Sequence, residues 1–147
     1  VSRVRDAARG HHYLRATVTS PVALGAADWI IPFIQAIEGF NVEDLGWGGA
    51  GARPVTVSFP FRASVTGTYA VTLRNGAANR THVATFNYPT ANAWQDVALT
   101  IPGDTGGTWA IDNTTGVAVY VAPVSGTNSH TGTLNGWTAS GAFAHSS

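Results

Sequence analysis

The sequence predicts an all-β protein with the fold of an antiparallel jelly-roll β-sandwich and one short helical turn. Two observations support this fold. Segments of alternating apolar and polar residues recur along the 147-residue chain, and turn-forming residues separate them at intervals of about ten residues. Only one short segment has a helical pattern. A sheet with one apolar face needs a second layer to cover it, so the strands are expected to form a sandwich.

The composition disfavours several classes of function. Charged residues make up 11% of the chain, against about 25% in an average globular protein. Eight Arg balance eight Asp and Glu, and Lys is absent, so charge is not expected to attract nucleic acid or an anionic membrane. No apolar run is long enough for a membrane-spanning helix, and membrane insertion is not expected. The absence of Cys excludes disulfides and thiolate metal sites.

The N-terminal part combines an arm, a strand and a segment that is apolar on both faces. Residues 1–10 are expected to form a mobile arm, and residues 11–147 a single domain. Residues 12–19 alternate and predict the first strand. Residues 29–38 are apolar at odd and even positions alike, and Pro32 together with the isoleucines favours a strand there over a helix.

Residues 53–75 predict two strands joined by a turn, a central hairpin. Odd positions of the first strand are apolar and even positions are polar apart from Pro60, which indicates a sheet edge or a bulge because it cannot donate to a ladder. Residues 41–45 precede them as the helical turn, with Asn41 as N-cap. Later strands are predicted at residues 82–88, 94–101, 108–112 and 117–122, before a tail rich in Gly, Thr and Ser.

Several short motifs follow one another in the order of a known group. They are Ile37-Glu38-Gly39, Asn41-Val42, Leu45, Val55-Thr56-Val57-Ser58-Phe59, Arg62-Ala63-Ser64, Trp94-Gln95 and Thr100-Ile101-Pro102-Gly103-Asp104-Thr105. In this order the chain resembles the jelly-roll domains of tailed-bacteriophage virion proteins, which are found in tail fibres, tail spikes and other appendages. It is also similar in pattern to carbohydrate-binding modules of bacterial glycosidases. The likeness covers residues 12–140.

The chain departs from that group at two points. Pro60 stands where members tend to carry a Trp in the central strand. Members also tend to have a strand before the position of Val1 and a closing strand after that of Ser147. We therefore expect a jelly roll that is incomplete at both chain ends.

The resemblance implies a function without catalysis. We expect a structural protein of a phage virion (a tail fibre, spike or head-decoration domain), located in the extracellular particle. It would act in assembly with other virion proteins and in attachment to host-surface glycans. The alternative is a carbohydrate-binding module of a secreted bacterial protein, and a glycoside-active enzyme is the third interpretation. Such an enzyme needs two facing carboxylates, and the sequence pairs no two of its Asp and Glu residues.

Two tryptophans in loops are candidates for contact with a glycan or a protein partner. Trp47 stands among glycines, and we expect it to be substantially exposed because its neighbours offer no side chains to cover it. Trp109 is the second candidate. A plug that packs on the core is the competing interpretation for both. The other tryptophans, Trp29, Trp94 and Trp137, are expected to pack.

Ile30 and Ile34 are the candidate subunit contacts. Each strand of a two-layer sandwich turns one face to the core, so the two-sided apolarity of residues 29–38 leaves one set of side chains in need of a cover. A homo-oligomer, a trimer or a larger array, is the expected cover. Residues 1–10 or the Gly- and Thr-rich tail are the alternatives.

No cofactor is expected, and the metal ion that suits this sequence is a structural Ca²⁺. Ca²⁺ takes oxygen ligands, and Asp104 and Asp112 stand in turns where such ligands are common. The alternative is that both carboxylates make the local hydrogen bonds that place Asp in turns.

Overall fold

The computed structural model describes residues 1–20 and 22–145. Its strands are β1 Ser2–Asp6, β2 His11–Arg15, β3 Trp29–Ile30, β4 Phe33–Glu38, β5 Val55–Phe61, β6 Gly67–Asn75, β7 Thr81–Tyr88, β8 Gln95–Ile101, β9 Thr115–Val121, β10 Val124–Ser125, β11 His130–Thr131, β12 Trp137–Thr138 and β13 Ala144–His145. Single 3-10 turns lie at Gly39–Asn41, Glu43–Leu45 and Thr127–Ser129. Across these ranges no helix has the length and apolar character needed to cross a membrane.

Four antiparallel strand pairs are nested inside one another along the chain. Strand β6 pairs with β7, β5 with β8, β4 with β9, and β3 with β10. The consecutive strands β3 to β10 therefore form one long hairpin that is wrapped into two layers, which is the strand plan of a jelly roll. The prediction of an antiparallel jelly-roll β-sandwich is confirmed.

The two layers face each other across an apolar core. One layer is a five-stranded sheet in the order β12-β7-β6-β9-β4, and the other contains the β5–β8 pair. The core is formed by Phe61, Val71, Leu73, Ala84, Phe86, Tyr88, Val97, Ile101, Trp109 and Val117. Its middle is aromatic, since the rings of Phe61 and Phe86 meet edge to face with centroids 5.1 Å apart.

The central strands are present, but they do not form the predicted hairpin. Strand β5 pairs with β8 and β6 pairs with β7 and β9, so the connection between β5 and β6 crosses from one layer to the other. Each strand turns an apolar face to the shared core, as the alternation of apolar and polar residues predicted. Pro60 lies opposite Asp96 in the two-stranded β5–β8 ladder, and the predicted sheet edge at Pro60 is confirmed.

The N-terminal residues form a hairpin, which corrects the prediction of a mobile arm over residues 1–10. Strands β1 and β2 pair from Ser2 opposite Arg15 to Asp6 opposite His11. Asp6 stabilises the turn, because its Oδ1 accepts a hydrogen bond of 2.9 Å from the amide of Ala8. The hairpin contacts the body through Trp94, whose Nε1 donates to Asp6 Oδ2 over 2.7 Å.

Three local predictions are corrected. Pro32 divides the long apolar segment into β3 and β4. Asn41 does not cap a helix, since the turns at Gly39–Asn41 and Glu43–Leu45 have no side-chain cap. Residues 108–112 form no strand. The carbonyl of Thr108 instead accepts a hydrogen bond from the side-chain amide of Asn75.

The C-terminal tail covers part of the outer face of the five-stranded sheet. Thr72 Oγ1 on β6 donates to the carbonyl of Phe143 over 2.8 Å. The ring of Phe143 stacks on that of Tyr120 on β9, with centroids 6.2 Å apart. This is one of the two covers considered as alternatives to a second subunit, and it leaves part of the face open.

Candidate functional site

The register of the five-stranded sheet aligns two rows of side chains on its outer face. One row contains Ile34, Tyr120 and Thr72, and the next contains Ala36, Ala118 and Arg74. Phe143 covers Tyr120 and lies beneath the guanidinium of Arg74, whose Cζ is 5.8 Å from the ring centroid. The indole of Trp29 meets the other side of Phe143 edge to face at 6.0 Å.

A depression remains beside Phe143, which we call the outer groove. Its volume is about 480 Å³, within the range of about 300–1,000 Å³ that is usual for small-molecule sites. The groove is lined by Trp29, Ile31, Ile34, Arg74, Tyr120 and Phe143. Trp29 and Ile34 are 58% and 60% exposed, so they form open walls of the groove. Trp29, which was expected to pack, contacts Phe143 but keeps more than half of its surface exposed.

Within the described part of the chain, Arg74 is the only charged side chain that lines the outer groove. Its Nε is buried and has no hydrogen-bond partner, and among the described residues its guanidinium joins no ion pair. A buried donor without an acceptor costs about 1–3 kcal/mol. The groove thus combines apolar and aromatic walls with one unsatisfied cation.

The structure separates the two predicted subunit contacts. Ile34 lines the outer groove, whereas Ile30 does not; Ile30 lies opposite Val124 in the β3–β10 pair. Ile30 is 50% exposed and Val124 is exposed beside it. Strand β4 lies at an end of its sheet, and no described strand pairs with its other edge. Ile34 therefore lies on a strand with an open edge, whereas Ile30 lies in the neighbouring β3–β10 pair.

Trp47 and Trp109 do not project from their loops, so the prediction of an exposed Trp47 is wrong. Both pack with Trp137 in a group that we call the tryptophan cluster, whose ring centroids lie 4.7 to 5.3 Å apart. Trp47 is partly buried and Trp109 is buried. The indole of Trp47 donates to the carbonyl of Arg53 over 2.7 Å, and that of Trp137 to Pro102 over 2.7 Å.

The glycines around Trp47 explain this packing. A side chain at Gly48 would come within 2.9 Å of the carbonyl oxygen of Gly107, and both glycines have left-handed backbone angles. The amide of Gly48 donates to the carbonyl of Asp104 over 2.7 Å. The glycines therefore bring two loops into close contact, and the indole of Trp47 is carried onto that of Trp109.

Asp104 is occupied by protein donors, which corrects its prediction as a Ca²⁺ ligand. Arg80 Nε donates to its Oδ2 over 2.7 Å, and Arg80 Nη2 contacts its Oδ1. The amide of Gly106 and the indole of Trp109 supply one further hydrogen bond to each oxygen. Burial disfavours the charged carboxylate, but these hydrogen bonds and the charge of Arg80 outweigh it, so the pKa of Asp104 lies below its usual range.

Asp112 is not brought together with Asp104. Its exposed carboxylate accepts a hydrogen bond of 2.9 Å from the amide of Thr114, which is the local turn contact considered as the alternative. No cluster of three or more His, Asp or Glu side chains suited to a metal occurs within residues 1–20 and 22–145.

His82 is buried against the tryptophan cluster. It is 2% exposed, and its ring meets that of Trp137 at 5.2 Å. Neither ring nitrogen has a hydrogen-bond partner of acceptable geometry. Burial lowers the pKa of His82, although the backbone of Asn135 and the charge of Asp104 act in the opposite direction. The ring is therefore neutral at pH 7 and forms part of the packing.

Comparisons with known proteins identify no relative: no family model, no curated protein and no solved structure matches the chain. The site is therefore assigned from its geometry. Sequence patterns did not single out Trp29 or Arg74 as groove residues, because the two come together only through Phe143, which contacts both. The two-sided apolarity of residues 29–38 was the available signal for Ile34.

Proposed function

We propose that this chain is a non-enzymatic structural domain of a tailed-bacteriophage virion, such as a fibre, spike or head-decoration domain, that works by association with copies of itself and with other virion proteins. The jelly-roll strand plan and the motif order support this proposal. The ion pair of the interior is in keeping with a structural role, since Asp104 and its donors hold the loops in place.

The open edge of β4, the strand that carries the exposed Ile34, is the observation that carries the proposal. Unpaired amides and carbonyls of an edge strand can pair with another strand. Across the paired edge the two Ile34 side chains would lie beside each other, and a cross-strand apolar pair of this kind contributes about 0.2–1 kcal/mol in addition to the new backbone hydrogen bonds. The net charge of zero means that identical copies do not repel one another.

The partner at this edge is a second copy of the chain, with β4 beside β4. Edge pairing would bring the two Ile34 side chains onto one continuous outer face. It would leave that face open to solvent, because strand addition extends a sheet in its own plane. A pairing of this kind is repeated in symmetric assemblies, where a weak contact is multiplied.

Light scattering on the purified protein at micromolar concentration tests self-association. The wild type is expected to be multimeric, and Ile34→Asp and Ile30→Asp are expected to shift it toward monomer. Val65→Asp is the matched control, because Val65 is equally exposed but lies on the loop between β5 and β6. A wild-type monomer, or equal effects of all three substitutions, would contradict the proposed contact.

The virion assignment needs a separate test. Genes for tail or capsid proteins on both sides of the coding sequence are the expected result of sequencing its neighbourhood. A neighbourhood of secreted glycosidases would instead support the alternative, a carbohydrate-binding module.

The exposed indole of Trp29 beside the outer groove is the observation that favours this second candidate. An indole face offers a flat apolar surface on which a sugar ring can stack. A glycan array with Trp29→Ala as the comparison tests it. Loss of binding in the variant supports a saccharide site, and a blank array with the wild type contradicts it.

A further inference from the structure

Arg74 gives the outer groove a chemical selectivity that its apolar walls lack. The guanidinium lies over Phe143, its Nε is buried without an acceptor, and no carboxylate of the described residues approaches it. The other lining residues are aromatic or aliphatic. The guanidinium of Arg74 is therefore the charged group of the groove to which a ligand can offer an acceptor.

We infer that the outer groove binds a saccharide unit that carries a carboxylate, such as a hexuronic acid. The carboxylate accepts hydrogen bonds from the guanidinium of Arg74, and the sugar ring lies against the exposed walls formed by Trp29 and Ile34. Arg presents a planar fork of donors that matches a carboxylate, and such charge-assisted bonds are stronger than neutral ones. The ion pair would form beside the apolar groove walls, where water screens it less than at an open surface.

Charge and shape favour a singly charged sugar over other anions. A nucleic acid or polyphosphate needs a row of cations, and one Arg lines the groove of a chain whose net charge is zero. An extended peptide would use the open edge of β4, where its backbone finds partners, rather than the groove. A sugar ring combines a flat C–H surface for the indole with a single carboxylate for the guanidinium.

This inference rests on the second proposed function, a carbohydrate-binding module, and adds that the bound sugar carries a negative charge. It is independent of self-association, because pairing at the edge of β4 leaves the outer face open. Assembly and binding can therefore fail separately, and different residues report on each.

Calorimetric titration with two matched oligosaccharides tests the inference. The first probe is oligogalacturonate, and the second is the same oligomer with every carboxylate methyl-esterified, which removes the charge and keeps the ring. The wild type is expected to bind the acid at least tenfold more tightly than the ester. Arg74→Gln is expected to lose this preference, and Trp29→Ala is expected to weaken both ligands.

Arg62→Gln is the matched control, because Arg62 is exposed and lies outside the groove. Its binding should equal that of the wild type, and urea unfolding of each variant should show that it is folded. Equal binding of acid and ester would overturn the inference and leave a neutral carbohydrate-binding module. Absence of binding to both would overturn the inference and the carbohydrate candidate together. Binding of benzoate without either sugar would reassign the groove to a small aromatic acid.

Discussion

Replacement of Asp104 by Asn is expected to destabilise the protein strongly. Asp104 is 1% exposed, and each of its carboxylate oxygens accepts from Arg80 and from one further donor. Removal of one partner of a buried ion pair costs about 3–5 kcal/mol because the other charge is left without compensation. The side chain of Arg80 is 16% exposed and can regain some water, so we expect a loss at the lower end, about 3 kcal/mol.

Urea unfolding followed by tryptophan fluorescence measures this loss, because the indole of Trp109 bonds to the substituted carboxylate. Asp112→Asn is the control, since Asp112 is exposed and should cost less than about 1 kcal/mol. The double variant Arg80→Met with Asp104→Leu should recover part of the loss, because no charge then remains unpaired. A loss below about 1 kcal/mol for Asp104→Asn would refute the role given to this ion pair.

Two further predictions concern the same end of the sandwich. Burial lowers the pKa of His82 in the folded chain, so the unfolded chain binds a proton more readily, and the free energy of unfolding should fall as the pH drops below about 6.5. Urea unfolding between pH 7 and 5 should show a smaller fall for His82→Leu than for the wild type. An equal fall in the two proteins would contradict this. Trp47→Ala should cost about 2–3 kcal/mol, because Trp47 packs on Trp109 and Trp137, whereas Trp29→Ala should cost less because Trp29 is largely exposed. Equal losses for the two would contradict the packing assigned to the tryptophan cluster.

Local patterns predicted the longer strands of the sandwich, β4 to β9, but they did not predict how these strands pair. The alternation of residues 55–61 and 67–75 correctly separated the core side of β5 and β6 from the other side. The same alternation is compatible with a hairpin or with two strands in opposite layers. The choice depends on the later strands β8 and β9, which compete for the same edges, and short-range patterns contain no information on that competition.

Glycine content was a poor guide to the exposure of Trp47. Glycines supply no cover of their own, which suggested a projecting side chain. They also allow one backbone to approach another, and the contact of Gly48 with Gly107 uses that property. Which of the two effects applies depends on a loop about sixty residues away in sequence. The outer groove could not be predicted either, because Trp29, Arg74 and Phe143 are distant from one another in the sequence.

Hydrogen exchange along β4 tests the proposed self-association most directly. If β4 pairs with β4 of a second copy, amides within Phe33–Glu38 should exchange more slowly as the protein concentration rises, while those of the interior strand β6 stay unchanged. The amides of Val55–Phe61 on β5, a strand at another sheet edge, are the internal control. Ile34→Asp should abolish the concentration dependence. Exchange in β4 that is the same at nanomolar and micromolar concentration would contradict the assembly through this edge.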